Sequence, residues 1–377
     1  MSQINASYFK KEYGNEGPDL VGITTLTSPY FMVPPSGNTV ERPQNPQKGT
    51  LRFNTDIGSL EYFKGNTIGW ESINRNPNQR LQGGTRALWA GGGNGNPYAK
   101  NISYTNISIL DNFSIEFGEL SAKRFCGGSA SSYTRGVWMG GGTPTRLSLI
   151  EYNTIASKGD AVDFGSTLGA GGSQGGSISN GIRGLYAGMS SGSGIRDTIE
   201  GITIASTGTF EDYGDLHAVR EQCTGSQSTT RGIICGGITP SATNVIEYVT
   251  IMTEGDAVDF GDLTRSGNVL GAGTGSSTRM LIGGGANPSI TNVIDYITIS
   301  TIGNATDFGD LTDQRSEIAS NSDNLRAVWA GGLIPAASET MDYVQIATKG
   351  NALNFGDLIS VSYLTMGACS SGHGGLI

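Results

Sequence analysis

The residues able to do chemistry recur at fixed places in this chain, which constrains what they can do. Five carboxylates, Glu151, Glu200, Glu247, Asp295 and Asp342, occupy one position of a repeated segment; five more, Glu119, Asp215, Asp262, Asp310 and Asp357, occupy a second. Six arginines, Arg86, Arg135, Arg183, Arg231, Arg279 and Arg326, recur with them at spacings of 49, 48, 48, 48 and 47 residues. Such a set could form an acidic channel holding a cation, or a ring of structural ion pairs. The ion pairs are expected, because each block offers its own Arg to neutralise its carboxylates. The only histidines are His217 and His373, far apart in sequence, too few for a His-based metal site or a Ser-His-Asp triad.

Other motifs lose their chemical meaning through repetition. Asp-Phe-Gly stands at 163–165, 259–261 and 307–309, without the Gly-rich loop, strand Lys or His-Arg-Asp motif that would make it a magnesium site for phosphoryl transfer. It is expected to serve packing. Gly-rich runs such as 271–275 precede no helix whose N-terminus could hold phosphate, and are expected to be strands. Cys126, Cys223 and Cys369 fall at matching places in different blocks, too far apart for disulfides, so buried free thiols are expected. No catalytic residue, cofactor or metal is expected, and the chain is not expected to be an enzyme.

These residues are positioned by a block of about 48 residues written six times, a repeat architecture in which each unit stacks on its neighbours. A second anchor, an aromatic-Gly pair, recurs at Phe117, Phe164, Tyr213, Phe260, Phe308 and Phe355. In the fourth block, strands are predicted over 231–237, 245–252, 256–263 and 268–275. Four antiparallel strands per block and no helical periodicity predict an all-β chain, a β-propeller of six blades. The diglycine after an apolar strand, then Tyr248 and the aromatic Phe260, resembles the kelch repeat over residues 80–377, with Phe or Tyr where kelch blades carry Trp. Before Arg86 one strand is missing, while 362–372 supplies a surplus one. The C-terminus is therefore expected to complete the first blade and close the ring. What varies is the loop after the diglycine. Its residues Asn94, Asn96, Tyr98, Lys100, Thr143, Arg146, Ser190, Arg196, Thr239, Asn244, Asn287 and Glu339 are the expected recognition positions, on one rim with Lys123, His217 and Arg315.

Residues 1–46 are Pro-rich and polar and are expected to be an extended anchoring arm; 47–78 form a small β-hairpin module and 79–377 the propeller. The phrase GTLRFNTDIGSLEYFKG, followed by GW, resembles a β module of bacteriophage fibre proteins. VGITTLTSPYFMVPPSG, GDAVDFGDLT and NATDFGDLT are similar to segments of tail-fibre-like virion proteins, notably of cyanobacterial phages. The resemblance implies a virion structural protein made in the host cytoplasm. It would be a fibre or spike that attaches to a host surface glycan or protein through the propeller loops and binds other virion proteins through its N-terminal region. A homo-oligomer, such as a trimer, is implied. The alternatives are an architectural capsid decoration or tail connector, and a kelch-like enzyme or adaptor. The formal charge of −9 falls on the repeats, since 1–78 balance seven basic against seven acidic residues; this argues against nucleic acid. No apolar run is long enough to span a membrane, and the N-terminus lacks a signal-peptide core.

Overall fold

Short β-branched runs separated by tight glycine turns make this chain all-β, and no helix occurs among the described residues. The computed structural model describes residues 34–56, 59–66, 69–72, 85–93, 98–109, 113–125, 127–143, 145–169, 171–265, 268–286, 288–334, 336–362 and 367–376. The chain divides into two units, Met1–Asn76 and Pro77–Ile377, close to the boundary expected at 78.

In the first unit Leu51–Asn54, Ser59–Phe63 and Trp70–Ser72 form an antiparallel sheet within the small β module expected at 47–78, and Ser36–Gly37 adds a parallel edge. The expected arm is thus corrected in part: residues 36–37 belong to the sheet, and 1–33 lie outside the described residues. The interior of this sheet is ionic. Glu61 is buried, accepts from Arg42 Nη2 at 2.6 Å and Asn54 Nδ2 at 3.1 Å, and has Arg52 Nε at 3.7 Å. The hydrogen bond from Arg42 holds its pKa below the usual carboxylate range. Trp70 covers the network, 5.9 and 6.0 Å from the Arg42 and Arg52 guanidinium carbons.

In the second unit each antiparallel sheet joins three strands of one sequence block to the strand that ends the block before. In the sheet of block four Thr224–Gln227, Arg231–Cys235, Val245–Thr250 and Val258–Asp262 lie side by side in that order, and the strand predicted at 268–275 instead opens the next sheet, where Ala272–Gly275 pairs with Arg279–Gly283. Burial falls across the sheet. Arg231–Cys235 is buried on both faces, as its unbroken apolar run predicts, whereas on the last strand only Phe260 is buried. Gly367–Ser370 pairs with Arg86–Ala90, so the first block takes its missing strand from the C-terminus. No sheet among the described residues closes into a barrel.

The aromatic-Gly anchor is a β-bulge. In block four Ile246 faces Gly261 and Glu247 faces Asp259, so Phe260 has no partner across the ladder and is turned inward. The same skip leaves out Phe117, Phe164, Tyr213, Phe308 and Phe355. The glycine is dictated by its neighbour: a Cβ on Gly261 would stand 2.7 Å from the carbonyl of Gly303 in the next block, and its φ is +145°. The turned-in ring fills the seam between sheets. Phe260 packs with Ile233 and Ile246 of its own block and Met280, Ile282 and Ile297 of the next. Each apolar core is shared in this way by successive sheets. The last joins Val328, Met341 and Phe355 of block six to Ala87, Trp89 and Ile107 of block one.

Candidate recognition site

The acids Glu151, Glu200, Glu247, Asp295 and Asp342 are buried, but not against the arginines expected to neutralise them. Glu151 pairs with Arg124, Glu247 with Arg220, Asp295 with Arg265 at 3.4 Å and Asp342 with Arg315 at 2.5 Å. Each of these arginines lies in the segment leaving the preceding sheet's last strand. The repeat arginines sit at the other end of their strands and bridge to the following block instead. Arg135 Nη1 donates to the carbonyls of Ile204 at 3.0 Å and Ala205 at 2.8 Å, and its guanidinium lies 4.5 Å from the Tyr152 ring centroid. Acid and cation are present or absent together. Block one has Ser103 at the acid's place, and residues 358–370, which lead into its sheet, contain no Arg. Block two also lacks an Arg in its exit segment, and there Arg196 of the third sheet itself reaches Glu200 at 3.4 Å. That pairing is loose and burial pushes the Glu200 carboxyl up to about 7. Of the acids on each sheet's last strand, Glu119, Asp215, Asp262, Asp310 and Asp357, Glu119 is tied to Lys100 Nζ at 2.5 Å.

The loops after the diglycines share a rim with the segments entering each sheet's first strand, as the isolated bridges Phe125 to Gly142, Glu221 to Ile238, Val269 to Ala286 and Ser316 to Leu333 show. Tyr98, Lys100, Thr239 and Asn244 lie in these loops, whereas the structure puts Thr143 and Arg146 on the paired strands Gly142–Thr143 and Thr145–Arg146, Ser190 and Arg196 on the hairpin strands Arg183–Ser191 and Gly194–Thr203, and Glu339 on Ala336–Gln345; Asn94, Asn96 and Asn287 lie outside the described residues. Lys100 and Arg196 are held by Glu119 and Glu200. Arg315, expected on the rim, is fully buried with Asp342, while His217 stays exposed with Nδ1 3.0 Å from Glu247. Tyr98 and Arg146 meet at one place, around Phe125, a residue the sequence did not single out.

Beneath this rim lies a cavity of about 140 Å³ walled by the sheets' first strands, with Ser129, Ser177, Thr224, Gly273, Ser320 and Ala368 among its lining and, among the described residues, no Asp, Glu, Lys or Arg. Small polar residues stand there because each first strand has an edge to satisfy. Ser131 Oγ donates to the Ser370 carbonyl at 2.9 Å, Ser370 Oγ to Ser322 at 2.7 Å and Ser322 Oγ to Gly275 at 2.6 Å, from sheet to sheet. At the rim end, Gln174, Gln222, Leu270 and Glu317 hold φ of +64°, +59°, +58° and +56°, a conformation that non-glycine residues seldom adopt. Their backbones are chained: Gln222 N donates to the Gln174 carbonyl at 2.6 Å, Leu270 N to Gln222 at 3.2 Å and Glu317 N to Leu270 at 2.9 Å. Side-chain type does not repeat here, so the sequence carries no signal of it.

The opposite end is covered by the C-terminal residues 371–376. His373 Nδ1 accepts from Gly375 N at 3.1 Å and faces Gln227 Nε2 at 3.0 Å, while Nε2 lies 3.0 Å from the Ser131 carbonyl, which can only accept. The proton therefore sits on Nε2, and burial lowers the His373 pKa to about 4. Cys223, Cys235 and Cys369 are free and buried, as expected; burial pushes Cys235 up to about 12, and Cys126 lies outside the described residues. No known protein family matches the chain, and no curated protein matches it.

Proposed function

We propose that the repeat unit is a closed six-bladed, kelch-like propeller that recognises a partner through its loop-bearing rim without catalysis. The observation that carries this is the seam shared by block six and block one, where Phe355 and Met341 pack with Trp89 and Ile107 while Gly367–Ser370 completes the first sheet. A set of sheets whose last packs on its first leaves no open face to cover, so its rim loops can vary without loss of the core. The buried acids support binding over catalysis, since each lies against an arginine.

In this reading the chain is a phage virion component, a fibre or spike touching the host surface. The support is the sequence GTLRFNTDIGSLEYFKG and its resemblance to fibre modules, together with a small first unit whose interior is ionic and which suits docking to other virion proteins. Several copies per particle would multiply a shallow contact. Gold-labelled antibody against the chain should mark particles purified from the culture that makes it, and the full chain in excess should slow adsorption of those particles. Label on cells alone sinks the virion reading. Labelled particles whose adsorption is unaffected make the chain an architectural component.

A further inference from the structure

The rim is uneven. Where blocks one and two meet, the Tyr98 and Phe125 rings lie 4.6 Å apart at 39°, and the Arg146 guanidinium carbon is 5.9 Å from the Phe125 centroid. Arg146 Nη2 also donates to Ser190 Oγ at 3.1 Å, which brings in the long hairpin of block three. All four side chains are half-exposed. The arrangement is positioned from below. Phe125 and Gly142 exchange backbone hydrogen bonds of 3.0 and 2.9 Å, and a Cβ on Gly142 would stand 2.9 Å from Phe125 Cζ and 3.0 Å from Arg146 Nη1. A bare backbone at 142 lets ring and guanidinium lie where they do.

Arg146 also differs from the other arginines at this end of the sheets. Arg124, Arg196, Arg220, Arg265 and Arg315 each have a carboxylate partner, whereas no carboxylate among the described residues pairs with Arg146. A guanidinium with no carboxylate partner among the described residues, beside the Phe125 ring on a chain of net charge −9, attracts a single anionic group and disfavours a densely charged chain. The cavity that Phe125 lines is about 10 Å³, too small to seat the anchor side chain of a peptide. A sugar ring needs no such hole, only an aromatic face and polar groups at its edge.

We propose that Tyr98, Phe125, Arg146 and Ser190 form a binding site for a carboxylate-bearing saccharide. The aromatic pair receives the apolar face of the sugar, Arg146 takes the carboxylate through paired N–H donors, and Ser190 fixes the guanidinium while offering its hydroxyl to the sugar edge. This rests on the rim being the recognition surface and narrows what it recognises.

Titrating the full chain with trigalacturonate and with its methyl ester, followed by NMR or calorimetry, tests the class of ligand, because the two differ only in the carboxylate. The acid should bind at least tenfold more tightly than the ester. Arg146→Ala should abolish that preference, Arg146→Lys should retain part of it, and Phe125→Ala should weaken both ligands alike, with melting of the Arg146 variants unchanged. Dextran sulfate should not compete; competition would reduce the site to a general anion contact and overturn the proposal. Equal binding of acid and ester, or an acid preference that survives Arg146→Ala, also overturns it. If neither trisaccharide binds while the chain still slows adsorption, the saccharide site is wrong and rim recognition stands. Arg146-dependent acid binding without any effect on adsorption has the opposite meaning: the site stands and host attachment fails.

Discussion

At the residue scale, two buried titratable groups act on stability in opposite directions over one pH range. Glu200 has a folded-state pKa near 7, above its unfolded value, so the folded chain binds the extra proton and stability falls as pH rises from about 4.3 to 7. His373 is depressed to about 4, so the unfolded chain binds the extra proton and stability falls as pH drops from about 6.5 to 4. Each effect is on the order of 3 kcal/mol at full extent, and they offset one another. Glu200→Gln should therefore expose a rise in melting temperature between pH 4 and 7, and His373→Gln a fall; parallel profiles for both variants would contradict this. The Arg315–Asp342 pair is buried on both sides. Arg315→Met alone should cost roughly 3 to 5 kcal/mol by stranding a carboxylate, while Arg315→Met with Asp342→Leu should restore most of the loss. Block one, with Ser103 and no arginine entering its sheet, is the same double replacement made by the chain itself. Denaturant unfolding of the two variants provides the comparison.

At the scale of the element, the unit that repeats is a bulged strand rather than a residue. The skip in the ladder at Ile246/Glu247 does two things at once: it turns Phe260 into the seam and leaves Gly261 against the carbonyl of Gly303. Phe260→Ala should cost roughly 3 to 5 kcal/mol by emptying the seam. Gly261→Ala, which removes nothing, should still cost about 2 kcal/mol or more, because its φ is unfavourable for alanine and the neighbouring turn blocks the methyl group. Equilibrium unfolding decides; a Gly261→Ala variant as stable as the parent would show that neighbouring sheets are free to part there. The first strands obey a different rule. Their Ser hydroxyls donate to the backbone edge of the preceding sheet, which explains why Gly, Ala and Ser dominate Gly128–Ser131, Ala319–Ser322 and Gly367–Ser370.

For the repeat unit as a whole, the C-terminal stretch has two tasks. Gly367–Ser370 is the first strand of block one's sheet, and residues 371–376 cover one end of the cavity through His373. Deleting residues 360–377 should leave the edge of Arg86–Ala90 unpaired and open the cavity, giving a chain that aggregates and melts lower. Light scattering after size-exclusion chromatography measures this, and a monodisperse truncated chain with unchanged melting would count against closure. Because cover and cavity mouth lie at opposite ends, changes to His373 should leave the saccharide site around Arg146 untouched.

Much of this was legible in the residues alone. The period, four strands per block, the strand borrowed from the C-terminus and the buried thiols follow from patterns local to one block, where strand propensity, alternation and turn chemistry act over a few residues. Pairings between blocks were not legible. The sequence assigns each acid to the arginine of its own block, but stacking brings Arg124 to Glu151 and Arg220 to Glu247, and sends Arg135 onto Tyr152 and the carbonyls of Ile204 and Ala205. The left-handed conformation shared by Gln174, Gln222, Leu270 and Glu317 is likewise invisible, because the chained backbone bonds between sheets impose it whatever the side chain. Phe125 does not recur from block to block, so no period marks it. Only the approach of three blocks at the rim gives Phe125 its place between Tyr98 and Arg146, with Ser190 beyond, because contacts made through space by stacked sheets leave no period in the chain that makes them.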